Sequence, residues 1–526
     1  MLSRRFPRSV SDQATGSVWR WGCYSGLIAL AVLAGVAGLF IRDGIRIRDD
    51  LQAGERQLAH SQLTSLDSRA SVERTFGSAD RKLRRGASLA RNSPWFQIMD
   101  VFPGGRTQRR AIRDLSSAAA RAGDIAYDAA RNARSALDRP TAAPTDRLRL
   151  IDNLRTQLSI ADSRLKQINP GARGRLITPL AHARQRFLAD LTKAHRQLTD
   201  GLDQTGALRS LLAGPRRYLV LAGNNAEMRS GGITTVTSAA SIEGGDVRVG
   251  RFIQSENLLL PDGKGVPVPP DLVHLYQWIS VGQEWRTTET SPNWPIVASI
   301  YAQMAARSPI GPVDGVIFVD MVTLRSLLDV VGPVNVNGVT YTADNVYDEL
   351  LYRNYLRFST GAEANARHEA QSEVAAAIFE VLRTRPFSLA RLAHELSHNA
   401  KGRHVLAWSS HPDEEAMWVK SGASGALCAN CFMISPQNVS ASKLDYFIDP
   451  RAAMRVEHYS EHQEVNLVLT PAYARLPNSQ PWLDTECLQL YASEADESVT
   501  LDEVRQALSK IPGSLTEDFV AERDEP

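Results

Sequence analysis

The chain has 526 residues, and 60 Lys and Arg stand against 58 Asp and Glu, a formal net charge of +2. This length allows about two to four domains with a sizeable core. The balanced charge and the lack of any standard nucleic-acid motif argue against a nucleic-acid partner. With 43% hydrophobic and 22% charged residues, the composition excludes a wholly disordered chain and a multi-span membrane protein.

Residues 22–41 form an uncharged apolar run, GCYSGLIALAVLAGVAGLFI. At 1.5 Å per residue a helix of this length spans about 30 Å, one bilayer core. The run leads straight into Arg42 and Asp43 without a small-residue cleavage site, which favours an uncleaved anchor over a signal peptide. Four arginines and one aspartate precede it. The positive-inside rule therefore predicts a single-pass protein of the cell membrane, with residues 1–21 as a cytoplasmic tail and the bulk outside the cytoplasm.

Residues 42–215 are rich in Ala, Leu, Arg and Gln and are interrupted at prolines, which predicts a helical stalk or bundle. Apolar residues alternate spacings of three and four, as in the seam of packed helices. The seam residues are Ile112, Leu115, Ala119, Ala122, Ala126, Ala129, Ala133 and Ala136 in one stretch, and Ile151, Leu154, Leu158, Ala161, Leu165 and Ile168 in another.

The pattern changes at Gly214–Pro215, where short β-branched runs begin. Together with the predicted helices these runs give the fold class α/β, an N-terminal transmembrane helix and helical stalk followed by a mixed α/β domain at 216–450. Residues 451–526 are predicted as further strands and a loosely held acidic tail. Predicted strands lie at 218–222, 232–242, 247–253, 314–320, 334–336, 339–341, 404–408, 431–434, 443–448 and beyond 454, and predicted helices at 322–331, 343–359, 364–384 and 388–400.

Four cysteines are too few for a disulfide scaffold. Cys23 lies in the apolar run, Cys428 and Cys431 form one CxxC pair, and Cys487 lies far downstream. A single CxxC is not a zinc ribbon, and its loop-like surroundings do not suit thioredoxin chemistry. A structural disulfide outside the cytoplasm is favoured, either local or long-range, and the pairing among the last three cysteines stays open.

The first candidate site is the loop between the first two strands of the α/β domain. Its Arg suits a bidentate anion contact, its Gly residues allow close backbone approach, and its Glu suits a metal. A polar turn that only satisfies its own backbone is the equal alternative. The candidate residues are Asn224, Asn225, Glu227, Arg229, Gly231 and Gly232.

The second candidate is an HExxH pattern on a predicted helix, formed by His394, Glu395 and His398. Such a helix places two imidazoles on one face for zinc, with Glu as general base, and His404 falls where the long form of the motif has its third ligand. The long form needs Gly where Lys401 stands, and His404 opens a strand-like run. We therefore expect no zinc here and keep a zinc metallopeptidase only as an alternative.

Several segments in a fixed order carry a resemblance to a known family. The chain resembles the bacterial membrane-protein family classified as domain of unknown function four thousand and twelve. The segments are SPWFQIMDVFP at 93–103, YLVLAGNNAEMRSGG at 218–232, SPNWP at 291–295, DGVIFVD to LLDVVGPV within 314–334, GRHVLAWSS at 402–410 and SKLDYFI at 442–448.

The external domain is also distantly similar to the LytR-CpsA-Psr family, whose members move a glycopolymer from a polyprenyl-pyrophosphate carrier onto peptidoglycan. The resemblance implies that Arg229, Arg251 and Arg367 hold the pyrophosphate and that an acidic residue, Glu227 or Glu256, holds Mg²⁺. The family's Arg-Asp-Thr box is absent, because Arg251 is followed by Phe252.

Three functions follow from this sequence. The first is a phosphotransferase that moves a polyprenyl-pyrophosphate-linked glycan to the cell wall, with arginines stabilising the departing phosphate. The second is a non-catalytic envelope scaffold or lipid-carrier-binding module. The third is the HExxH peptidase.

Overall fold

A computed structural model describes residues 42–473, except for 44, 55–68, 141–142, 172–173, 277–278, 359–363, 429–430, 432, 439–443 and 459–462. The chain divides into two units, one ending at Tyr446 and the other beginning at Phe447. The predicted tail at 1–21, the predicted transmembrane helix at 22–41, Cys487 and residues 474–526 lie outside the described residues. None of the helices within the described ranges is long and apolar enough to cross a membrane.

The described residues between 45 and 213 are mostly helical, as the sequence predicts. Neighbouring helices pack in chain order, α3 on α4, α4 on α5 and α5 on α6. A proline in the first turn begins both α5 and α6, where its fixed φ suits a helix and its missing N–H has no partner to lose. The helices are α1 at 45–54, α2 Arg69–Val72, a π-helical turn Glu73–Gly77, α3 Ser78–Asn92, a 3₁₀ turn Pro94–Val101, α4 Gly105–Leu137, α5 Pro144–Lys166 and α6 Thr178–Ala213.

The predicted seam on α4 is only partly buried. Leu115 and Ala136 of the seam are buried, but the most buried alanines are Ala118 and Ala130, at 0% and 1% exposure. An α-helix drifts by about 20° per heptad from a strict 3.5-residue repeat. Over 33 residues a straight helix therefore moves its contact stripe away from one fixed seam.

The α/β part is built on a sheet with the order β3-β2-β1-β5-β8, and β4 pairs with β2. β1 is parallel to β5, with Leu221 opposite Phe318, and β1–β2, β2–β3 and β5–β8 are antiparallel. The strands are β1 Arg216–Asn224, β2 Ile233–Glu243, β3 Asp246–Val249, β4 Ile253–Gln254, β5 Gly315–Val319 and β8 Val405–Ser409, and a separate hairpin consists of β6 Val334–Val336 and β7 Val339–Tyr341.

Helices cover both faces of this sheet. Successive side chains of a strand point to opposite faces, so Leu219 and Leu221 of β1 pack with α8 on one face while Tyr218 and Val220 pack with α6 on the other. A third core joins α9, α12 and the β6–β7 hairpin. The helices here are α7 Pro270–Leu275, α8 Trp294–Ala306, α9 Met321–Val331, α10 Val346–Asp348, α11 Asn354–Arg357, α12 Ala364–Thr384, α13 Leu389–Lys401 and α14 Pro412–Ser421, with a π-helical turn Glu349–Arg353 and 3₁₀ turns Ser255–Leu258 and Trp285–Thr287.

The second unit contains a long antiparallel hairpin, β9 Ile448–His458 and β10 Gln463–Tyr473. Its register pairs Ile448 with Tyr473 and His458 with Gln463. The strands predicted beyond residue 454 are therefore confirmed, and β9 begins earlier, at Ile448.

The mixed α/β architecture is confirmed, and two predicted strands are wrong. Residues 433–436 have no regular structure, and Leu444–Phe447 is a 3₁₀ turn. A disulfide joins Cys428 to Cys431, and Cys431 N donates to Cys428 O at 3.1 Å, so the chain turns here instead of extending. Of the pairings that the sequence left open, the local one between Cys428 and Cys431 is present within the described part of the chain.

A buried carboxylate fixes the start of the sheet. Glu414, 1% exposed, accepts hydrogen bonds from Tyr218 Oη at 2.6 Å, Ser409 Oγ at 2.8 Å and Arg216 Nε at 2.6 Å. Burial, and secondly the hydrogen bond to Glu414, raise the pKa of Tyr218.

Replacing Glu414 removes the acceptor of these three hydrogen-bond donors. We expect Glu414→Ala to lower the free energy of unfolding by about 3 kcal/mol, because breaking a buried ion pair leaves its partners unpaired. Urea denaturation of the purified chain measures this. Asp413→Ala, on the exposed side of the same helix turn, is the control, and an equal loss in both variants would show that the buried network is not the cause.

Candidate functional site

The parallel pair β1 and β5 ends at one edge of the sheet. Ligands of α/β sheets bind outside the carboxyl ends of such strands. Asn224 closes β1 and Asp320 follows β5 directly. Both are almost fully buried, at 0% and 1% exposure, so this edge carries a concentration of buried polar groups.

Asp320 is the hub of this edge. Its Oδ1 caps α9 by accepting from Val322 N at 2.9 Å and Thr323 N at 3.1 Å. Its Oδ2 accepts from Asn225 Nδ2 at 2.9 Å and lies 2.7 Å from His404 Nδ1. One carboxylate therefore ties the loop after β1, the start of α9 and the residue before β8.

His404 combines a buried partner with a partly exposed ring. Its side chain is 35% exposed, whereas that of Asp320 is 1% exposed. The hydrogen bond to Asp320 raises the pKa of His404, against the effect of burial. A carboxylate-oriented imidazole of this kind can hold or move a proton.

The HExxH residues do not assemble around a metal. His394 and His398 are exposed on α13, whereas the Nδ1 of His404 is engaged by Asp320. Within the described ranges no three His, Cys, Asp or Glu side chains are grouped closely enough to share a metal ion.

The loop after β1 is held mainly by its own polar groups. Asn224 Oδ1 accepts from Ala226 N at 2.9 Å, and Asn225 Nδ2 donates to Gly231 O at 3.1 Å. Gly232 has φ +128°, a conformation that favours glycine. A Cβ on Gly231 would stand 2.8 Å from Glu289 Oε1, so close packing also requires that glycine.

Arg229 and Glu227 of this loop lie side by side under a cover. Both side chains are about 5% exposed, and Arg229 Nη2 is 3.9 Å from Glu227 Oε1. Ser230 N donates to Pro436 O, and the backbones of Arg229 and Gln437 form an isolated antiparallel β-bridge. Desolvation lowers the pKa of Arg229, partly offset by Glu227. The buried Nε–H of Arg229 has no hydrogen-bond acceptor among the described residues.

Arg367 approaches the same edge from α12. Its guanidinium lies 4.4 Å from the centre of the Tyr355 ring, and Tyr355 Oη accepts from Asn224 Nδ2 at 3.3 Å. Nη1 donates to Phe358 O at 3.1 Å, but the buried Nε–H also lacks an acceptor within the described part of the chain. The structure thus brings Asn224, Glu227, Arg229 and Arg367 to one region.

A second charged group borders this region. Glu256 Oε2 is 3.5 Å from Arg286 Nη1, and its Oε1 is 3.6 Å from His368 Nδ1. Arg286 also pairs with Glu284 at 2.9 Å, and this bond raises the pKa of Arg286, to which Glu227 adds a smaller electrostatic effect. Arg251, in contrast, is exposed, and none of the described residues pairs with it.

Sequence reasoning missed three members of this edge. Asp320 could have been found, because it ends a buried strand and precedes a helix, where a capping residue is expected. Arg286 and Glu289 carry no such signal. Glu289, 2% exposed, accepts from Thr234 Oγ1 at 3.1 Å, and burial raises its pKa well above the usual range.

Residues 213–355 match the family model described as Protein of unknown function (DUF4012). The match contains the loop after β1, β5 and α9, and it confirms the resemblance expected from the sequence over these residues. No curated protein matches the chain significantly, and neither does any solved structure.

The Asp320–His404 pair predicts a pH-dependent stability. Because the pKa of His404 is raised in the folded chain, the stabilisation is complete below the unfolded value of about 6.5 and is lost as the pH rises through the raised pKa. We expect the free energy of unfolding of the parent, relative to His404→Asn, to fall as the pH is raised from 5.5 to 9. Parallel profiles for the two proteins in urea titrations would contradict this.

Proposed function

We propose that this chain is a cell-envelope protein whose α/β part binds the pyrophosphate of a polyprenyl-linked glycan at the carboxyl end of β1. The observation that carries the proposal is the pair of arginines at this edge. Arg229 and Arg367 each keep a buried Nε–H without an acceptor among the described residues. A buried donor without a partner is costly, and a phosphate oxygen is a strong acceptor for a guanidinium.

The surroundings suit a phosphorylated ligand. Arg286 and His368 add basic groups, and Glu256 is the carboxylate between them. The loop before Gly232 belongs to a sheet edge where α/β proteins receive ligands. The overall charge of +2 gives little attraction over a distance, so the attraction must come from these fixed groups.

Two exposed apolar residues favour a lipid-linked form of this ligand. Leu259, 52% exposed, follows Glu256 by three residues, and Leu356, 43% exposed, adjoins Tyr355. They offer an apolar border to a prenyl chain. Two pockets on the described residues, of about 570 and 330 Å³, lie among α3–α6, away from this edge.

Transfer of the glycan to a cell-wall hydroxyl is the second candidate, favoured by the position of His368 beside Glu256. In that reaction the hydroxyl oxygen bonds to the sugar-side phosphorus, the bond to polyprenyl phosphate breaks, and His368 takes the hydroxyl proton. Mg²⁺ is implied by the resemblance to LytR-CpsA-Psr proteins. Glu227 and Glu256 each lie beside an arginine, and within the described ranges no three His, Cys, Asp or Glu side chains could share a metal ion, so we assign no step to it.

The arginine pair gives a binding test with farnesyl pyrophosphate, a short polyprenyl pyrophosphate, as the probe. Arg229→Ala and Arg367→Ala should each weaken binding by about tenfold or more, because a charge-assisted hydrogen bond contributes roughly 1.5–3 kcal/mol. Isothermal titration calorimetry on the full chain in detergent measures this.

Arg248→Ala is the matched control, because it removes the same charge from a side chain that is 73% exposed on β3. Inorganic pyrophosphate should bind more weakly than the prenylated probe. If Arg229→Ala and Arg367→Ala bind like the parent, the anion site is wrong and the non-catalytic scaffold is favoured.

The proposed location in the cell membrane rests on the apolar run at residues 22–41 and its basic flank. A reporter that is active only outside the cytoplasm should be active when fused after Pro526. Activity of a cytosol-only reporter at the same position would exclude every envelope function proposed for the chain.

A further inference from the structure

Exposed apolar side chains gather at one end of the helical part. Val101 is 81% exposed, Phe102 is 64% exposed and Ile98 is 37% exposed. All three belong to the turn between α3 and α4, where Phe96 is buried and Met99 is partly buried in a small core with Ile47 of α1. The turn is therefore fixed by its inner side and presents its outer side to solvent.

A buried hydrogen bond places this turn beside the end of the apolar run. Ser93 Oγ donates to Asp43 Oδ2 at 2.8 Å, and both residues are 7% exposed. Asp43 follows Ile41 by two residues, so the chain between them spans at most about 7 Å. The turn therefore lies next to Asp43, which follows the run closely in sequence.

A second segment brings another apolar side chain to the same end. Gln108, in the first turns of α4, donates to Arg175 O at 2.7 Å and accepts from Ile177 N at 3.1 Å. Ile177 precedes α6 and is 54% exposed. Ile45, on α1 and four residues after the run, is 44% exposed. We call this group of exposed apolar residues the tip patch; its members are Ile45, Ile98, Val101, Phe102 and Ile177.

Basic side chains border the tip patch. Arg106 and Arg110 are exposed in the first turns of α4, and the Arg42 side chain is 53% exposed. Apolar residues with arginines around them are typical of protein surfaces that enter the boundary between lipid headgroups and acyl chains.

We propose that the tip patch docks into the outer surface of the bilayer that the apolar run crosses. The inference rests on the proposed anchor but not on the ligand of the α/β part. A bilayer is favoured over a second copy of the chain because five side chains are far fewer than the roughly 20–30 residues a side of a standard protein interface. The bilayer also accounts for the position of the patch beside the end of the run.

The depth of a single added tryptophan tests this. The full chain is reconstituted into vesicles of phosphatidylcholine and phosphatidylglycerol, with or without brominated acyl chains that quench tryptophan on contact. Phe102→Trp is compared with Val419→Trp. Val419 is 54% exposed on α14, which meets α6 at Asp200, about 33 Å along the helix from Thr178. The nine native tryptophans are subtracted with the parent.

We expect brominated lipid to remove most of the fluorescence added by Trp at position 102 and none of that added at position 419. If neither added tryptophan is quenched, or both are quenched equally, the proposal is overturned. Burial of the patch by a second copy belongs to the first of these results. Ile177→Trp is the replacement if Phe102→Trp does not fold, and farnesyl pyrophosphate binding, measured separately, is not expected to change.

Discussion

The carboxylate of Asp320 is the interaction on which the candidate site depends. It is 1% exposed, and its hydrogen bonds reach the loop after β1 through Asn225, the first turn of α9, and His404 before β8. A buried carboxylate persists only when its lone pairs are occupied. Because these partners come from three separate segments, the carboxylate fixes the direction in which the loop carrying Arg229 leaves the sheet.

The loop is then closed by packing that leaves little freedom. Phe318 of β5 and Glu289 take the space beside Gly231, and the chain at Pro436 and Gln437 covers Arg229. The side chain of Arg229 is therefore less exposed than that of Arg367, which is half-buried and more accessible. A ligand phosphate would meet Arg367 first and would then have to reach the unpaired Nε–H of Arg229.

The sequence predicts the sheet better than the site. Short β-branched runs are local signals, and so is the Asn–Gly pair between the predicted strands 334–336 and 339–341. Asn337 and Gly338 both have positive φ, as a tight hairpin turn requires. α8 gave no signal because it is buried nearly all round, so it lacks the periodicity of a surface helix. Glu256, Arg286 and His368 meet only through folding. The resemblance implied Arg251 as a site residue. In this segment the side chain of Phe252 is the buried one, and that of Arg251 is exposed.

The length of α6 limits how the two proposals combine. Its 36 residues span about 54 Å, with Ile177 of the tip patch at one end and Leu211, packed under the sheet, at the other. Along the helical part, exposed large apolar residues concentrate at the tip, with Ile160 as an exception in the described residues, so the helices have no apolar side on which to lie flat. With the tip on the bilayer the sheet stands away from the headgroups. If both proposals hold, a polyprenyl carrier bound at the carboxyl end of β1 would be lifted from the membrane, and its chain would need the apolar border proposed at Leu259 and Leu356.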